Sequence, residues 1–181
     1  MSNEEKLVGA FRSVRDIPYG GKNTKDPVQV LEQRQGTGSG KHQVLKHLIE
    51  KLGYPVRECL AKHDFGNYPL NTWPDALKEF QGKHITGYHD FLQVKIHDAW
   101  ISVDATFDKP LEKLGLPVGT WDGKTDMKLA VAADEVIPVE QGSVSELRKS
   151  LIKSLPEPEQ EDRKKLLQAM KGWIAGARTG V

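Results

Sequence analysis

Two neighbouring stretches, Tyr88 to Ile96 and Ala99 to Thr106, alternate apolar and polar side chains. In the first, Asp90, Leu92, Val94 and Ile96 share one parity, and His89, Phe91, Gln93 and Lys95 share the other. In the second, Ala99, Ile101, Val103 and Ala105 alternate with Trp100, Ser102, Asp104 and Thr106. Successive side chains of a strand point to opposite faces, so both stretches read as strands with a mostly apolar and a mostly polar face. His97-Asp98 reads as the turn of a hairpin between them. An even-numbered turn makes the two apolar faces coincide, as burial requires. His89 then lies opposite Asp104 or Thr106 and on the same face as both.

Helical patterns surround this hairpin. Residues 3–15 place Leu7, Val8, Phe11 and Val14 at helical spacing behind a capping residue, and Ile17-Pro18-Tyr19-Gly20-Gly21 ends that run. Asp26-Pro27 reads as a cap followed by proline at the first helical position, opening a short helix through Gln35. The small-residue loop Gly36-Thr37-Gly38-Ser39-Gly40 leads into a long helix from Lys41 to Leu52, stopped by Gly53. Tyr54 to Ala61 is a further expected strand, and residues 64–86 an irregular loop with one helical turn. Residues 107–143 are broken by Pro and Gly and resist assignment, whereas 144–155 and 157–178 read as two amphipathic helices. The mixture predicts an α+β fold rather than regular βαβ winding, in a single domain spanning residues 1–181.

Several functions are excluded by composition. With 26 Lys and Arg against 25 Asp and Glu, the net charge of +1 gives no general pull toward nucleic acid or anionic lipid. No apolar run approaches the roughly 20 residues that span a bilayer, and the N-terminus has no apolar signal region, so a cytoplasmic protein is expected. A lone cysteine, Cys59, forbids an internal disulfide and reads as a small core hydrophobe. The histidines lack metal-ligand spacing, and neither metal nor cofactor is expected. His42 is expected to pack or hydrogen-bond near the loop 36–40. Charges along 144–178 alternate in sign, as on a solvated helix face.

Gly36 to His42 invites a phosphate-loop reading, which fails. Gln35 stands where that motif needs glycine, His42 where it needs Ser or Thr, and the preceding residues are too polar for a buried strand. A helix-entry loop remains, or an anion site on free N–H groups. The hairpin carries more chemistry. Opposed Cβ atoms lie about 4.5–5.5 Å apart and diagonal ones roughly 7–8 Å, so His89 and Asp104 are within reach of a hydrogen bond. Such a pair fixes the histidine tautomer and raises its basicity, as a general base requires. The alternative is an ordinary cross-strand polar pair on a solvated face.

The order of Phe11, Ile17-Pro18-Tyr19, Val30-Leu31-Glu32, Gly36-Thr37-Gly38-Ser39-Gly40-Lys41-His42 and Leu52-Gly53-Tyr54-Pro55-Val56-Arg57 resembles the core of the transglutaminase-like superfamily. His89-Asp90-Phe91-Leu92-Gln93-Val94 and Trp100-Ile101-Ser102-Val103-Asp104-Ala105-Thr106 are similar to that family's His and Asp strands. The resemblance covers about residues 11–108 and leaves 144–178 as a helical extension. It implies a transglutaminase-like, papain-like α+β fold, in which the helix bearing the nucleophile packs on an antiparallel sheet. It also implies cysteine protease-like acyl-enzyme chemistry on a peptide or protein amide: hydrolysis, deamidation or acyl transfer. His89 would be the base and Asp104 its orienter. The family's cysteine position falls on Gly38, so the triad is degenerate and the thiol mechanism cannot run in this chain.

Ser39 adjoins that position, either as a substitute nucleophile or, better, as the cap of the following helix. Tyr19 is a candidate for an oxyanion hydroxyl, and Trp73 and Trp100 are candidates to line a substrate groove. Two readings stand: an acyl-transfer scaffold lacking its nucleophile, or a non-catalytic module that binds a peptide or protein partner. The first requires His89 to bond Asp104 and to face Gly38 across an open cleft.

Overall fold

The computed structural model describes residues 2–68, 70 and 72–179; Pro69 and Asn71, within the loop expected over 64–86, lie outside the described residues. Helix α1 (Asn3–Arg15) starts at a capping box, in which Ser2 Oγ accepts from the Glu5 N–H and the Glu5 carboxylate accepts from the Ser2 N–H. Helix α2 (Pro27–Glu32) is capped by Asp26, whose side chain accepts from Val28 N–H. It stops short of the expected Gln35 because Arg34 turns left-handed (φ 50°) and Gly36 is recruited elsewhere. The Gly36 N–H donates to Pro18 O, and the Gly20 N–H donates to Gly36 O. Those two bonds clamp the Tyr19 segment beside the start of the next helix.

Helix α3 (Gly38–Lys51) begins earlier than the Lys41 start that residue types suggest. The small residues thus form its first turn rather than a loop. Close packing is the physical reason that a poor helix former stands there: a Cβ on Gly40 would lie 2.5 Å from Thr24 O and 2.9 Å from Val30 Cγ2. Alanine favours helix by up to about 1 kcal/mol over glycine, but overpacking costs about 1–3 kcal/mol. Gly40→Ala is therefore expected to lose stability in urea titrations; a gain would mean that the Thr24 carbonyl and Val30 of α2 yield freely.

The sheet has four antiparallel strands in the order β3-β2-β1-β4, built from β1 (Val56–Asp64), β2 (Thr86–Ile96), β3 (Ala99–Val103) and β4 (Glu135–Pro138). The expected hairpin is β2–β3, with Leu92 opposite Val103, Ile96 opposite Ala99, and His97 left-handed (φ 52°) in the two-residue turn. Strand β3 is shorter than expected, ending before Asp104. Strand β4 comes from the Pro/Gly-rich stretch that carries no periodic signal, and it pairs with β1. The region expected as loop over 64–86 holds short 3₁₀ turns at Phe65–Asn67 and Asp75–Phe80, and a third such turn spans Lys109–Leu114.

Both faces of β2 are covered around Phe91, which removes the alternative of a His89–Asp104 pair on a solvated face. Leu92, Val94, Ile101 and Val103 pack against Leu7 and Phe11 of α1 and Leu45 and Ile49 of α3. Phe91 and its cross-strand partner Cys59 join a second cluster with Leu166 and Ile174. These last belong to α5 (Glu157–Thr179), preceded by α4 (Val144–Lys153), whose Val144 packs on Leu60 and Tyr88. Among the described residues, no helix is long and apolar enough to cross a membrane.

Candidate functional site

Asp104 sits just beyond β3, where the chain leaves the sheet, and is only 3% exposed. Its carboxylate takes four hydrogen bonds. Oδ2 accepts from the Ala130 N–H at 2.8 Å and is 2.8 Å from His89 Nε2. Oδ1 accepts from the Thr106 N–H at 3.0 Å and from Thr106 Oγ1 at 2.6 Å. Burial alone would favour the neutral acid, but the His89 charge and the histidine hydrogen bonds hold this carboxyl well below its ordinary range. For His89, burial favours the neutral ring, yet the charge and hydrogen bond of Asp104 outweigh it and raise the pKa.

A second imidazole backs this pair. His42, buried on the first turns of α3, places Nε2 3.1 Å from the Ala105 nitrogen and 3.3 Å from Asp104 Oδ1. Beside it, Lys41 is fully buried and donates to Arg15 O and Thr106 O, each at 2.8 Å. Desolvation pulls its pKa down to about 7 against the pull of Asp108 and Asp104. Lys41 thereby ties the end of α1 to the strand end that carries Asp104 and Thr106.

His89 lines a cleft of about 510 Å³, as do Tyr19, Gly38, Ser39 and Thr106. Among the described residues, His89 Nδ1 has no hydrogen-bond partner, whereas Nε2 is held by Asp104. Gly38 opens α3 on the same cleft. A Cβ added to it would meet Thr106 Oγ1 at 3.0 Å and Thr106 Cγ2 at 3.3 Å. That hydroxyl is in turn 3.5 Å from His89 Nε2. The Thr106 side chain therefore fills the space beside the glycine.

The remaining candidates divide. Ser39 is not the helix cap: Thr37 takes that place, and the second-position Ser39 hydroxyl accepts from Arg148 at 3.3 Å. Tyr19 does line the cleft, with its ring against Phe107 and its N–H bonded to Asp108 Oδ1 at 2.7 Å. Burial, then the Asp90 charge, raises its phenol pKa. Trp100 lies outside the cleft, at the turn end of the hairpin, where the Arg57 guanidinium stacks 4.3 Å from its ring. Trp73 is also absent from the cleft and packs near Leu77, Phe65 and Met170 around a separate small cavity. Cys59 is buried, and desolvation pushes its thiol up to about 11.

Residue types did not foretell the roof of the cleft. Arg148 of α4, with Arg163, Met170, Lys171 and Ile174 of α5, closes it from the C-terminal side. Arg148 pairs with Asp90, a buried carboxylate of β2 whose other neighbour is Lys25 Nζ at 3.9 Å. Arg178 pairs with Asp108 and so fastens the end of α5 to the Tyr19 segment. The spacing of 163, 167, 170 and 174 marks one helix face, but nothing in it names the surface covered.

No protein-family model matches the chain, and no curated protein matches it in sequence. Among solved structures it is similar to a "Putative Cysteine Protease from Cytophaga hutchinsonii", with 16% identity and a TM-score of 0.39. The match covers 76% of this chain and 46% of that one, so the chain spans less than half the length of that structure.

Proposed function

We propose that this chain is a thiol acyl-transfer scaffold of the transglutaminase-like, papain-like type, shaped for a peptide or protein amide, with its nucleophile position at Gly38. One observation carries the reading: the buried Asp104 carboxylate holds His89 by Nε2 at 2.8 Å, and His89 shares a cleft with Gly38, the first residue of α3. In such a scaffold a thiol at the helix start is stabilised by the helix dipole and by the imidazolium. The thiolate adds to the amide carbonyl, the histidine delivers a proton to the leaving amine, and the carboxylate stabilises the charged ring. Without a side chain at position 38, this chain binds but does not acylate. A cytoplasmic setting, which keeps thiols reduced, belongs to the same reading.

The crowding of Gly38 by Thr106 favours a second reading, in which the cleft holds a peptide or protein partner and performs no chemistry. Restoring the thiol separates the two. In Gly38→Cys, the alkylation rate against pH is expected to report a thiol pKa well below the ordinary value of about 8.5, and His89→Ala in the same background is expected to abolish the depression. The unaltered chain subtracts Cys59, and Gly38→Cys/Thr106→Ser removes the methyl lying 3.3 Å from the new Cβ. A thiol of ordinary pKa in both backgrounds, indifferent to His89, leaves the binding module.

A further inference from the structure

We propose that the cleft recognises a carboxylate on its peptide ligand through Arg163 and Lys171, one helical face of α5 acting as an anion subsite beside the His89–Asp104 pair. The proposal rests on reading the cleft as a peptide site and adds the charge of what enters it. Arg148, Arg163 and Lys171 line the cleft, against the single lining carboxylate of Asp90. Asp90 is already engaged by Arg148, with Lys25 3.9 Å away on its other oxygen. Arg163 and Lys171 are left over.

Neither is neutralised from its own helix. Glu159 accepts from the Thr86 N–H at 2.7 Å, and Asp162 lies 3.7 Å from Lys83 Nζ. Among the described residues, Arg163 makes no hydrogen bond or ion pair, and its Nε is buried without an acceptor. A half-buried guanidinium with an unmet donor is costly, and more so beside a second guanidinium: burial, then the Arg148 charge, lowers the Arg163 pKa. A carboxylate satisfies the planar fork of Arg163 bidentately, while the exposed Lys171 adds a point charge at the rim. Met170 and Ile174, on the same face, give the rest of such a ligand an apolar wall.

Three acetylated peptides of one backbone test this by calorimetric titration of the full chain: acetyl-Ala-Gln-Ala-amide, the same peptide as its free C-terminal acid, and acetyl-Ala-Gln-Glu-amide. At least one acid is expected to bind tenfold or more tightly than the neutral amide, and which one does so tells a chain-terminal carboxylate from a side-chain one. Arg163→Gln/Lys171→Gln is expected to cut the preference below threefold with a thermal transition no lower than that of the unaltered chain, since neither side chain has a partner to lose. The single variant Lys171→Gln, at an exposed position, keeps the test open should the double variant fold poorly, and is expected to lower the preference in part. Equal affinities, a preference that survives these variants, or no binding of any peptide at millimolar concentration overturns the subsite. A poised thiol in Gly38→Cys together with equal peptide affinities would sink the subsite alone. Carboxylate preference with an ordinary thiol would sink the acyl-transfer reading alone.

Discussion

Asp104→Ala is expected to lower the stability of this protein by about 3–5 kcal/mol, the scale on which removing one partner strands a buried polar pair. The carboxylate accepts from Ala130 and Thr106 N–H groups, the Thr106 hydroxyl and His89, the last two residues lining the cleft. Alanine removes every acceptor at once and leaves buried donors unpaired. Urea unfolding of the variant measures the loss, and a change below about 1 kcal/mol would show that these donors find other partners.

The pH profile carries the same information with a definite sign. Asp104 has a depressed pKa in the fold, so its contribution is present above the unfolded value of about 3.9 and is lost as pH falls through the folded one. His89 has a raised pKa, so its contribution is full below about 6.5 and is lost as pH rises through the folded value. The pair thus stabilises most between about pH 4 and 6.5. Asp104→Asn, nearly isosteric, is expected to flatten both limbs.

The second large effect lies at Lys41. Its ammonium is fully buried on two backbone carbonyls, and its pKa is drawn down to about 7. The unfolded chain, with an ordinary value of about 10.4, binds more protons between these two pH values, so stability rises with pH across that window. From pH 7 to pH 10 the gain comes to about 3 kcal/mol. Lys41→Met keeps the volume and abolishes the titration. The difference in urea stability between the two proteins, in which His89 and the other groups cancel, is expected to grow by that amount. A difference constant with pH would place the Lys41 ammonium in contact with solvent. At every pH the methionine leaves Arg15 O and Thr106 O without their donor, a cost of about 1–3 kcal/mol each.

Much of this was legible in one dimension. The period-two runs at 88–96 and 99–103, with a two-residue turn, specify a hairpin and its register because a slip of one residue would invert every face. From that register follows the meeting of His89 with Asp104, and the helix caps at Asp26 and the stop at Gly53 are equally local. Local residue types misled where packing overrode propensity. Glycines 38 and 40 read as loop, yet they stand in the first turn of α3, where its neighbours leave little room for a Cβ. Strand β4 carries no periodicity; it is a strand because β1 offers it an edge.

The sequence by itself therefore determined the elements whose specification is short-range: the hairpin, its histidine–aspartate pair and the helices around it. It also determined that position 38 has no side chain, because a residue type needs no structure. Tertiary structure alone decided what surrounds that pair. Ala130, Thr106, Lys41 and Arg148 reach the site from stretches far apart in the chain, and the helices of 144–179, whose alternating charges read as solvated, became the cationic roof of the cleft. Periodicity says which face of a helix is apolar and what charges border it, but the surface it covers is set by the fit of whole elements, which no local pattern encodes.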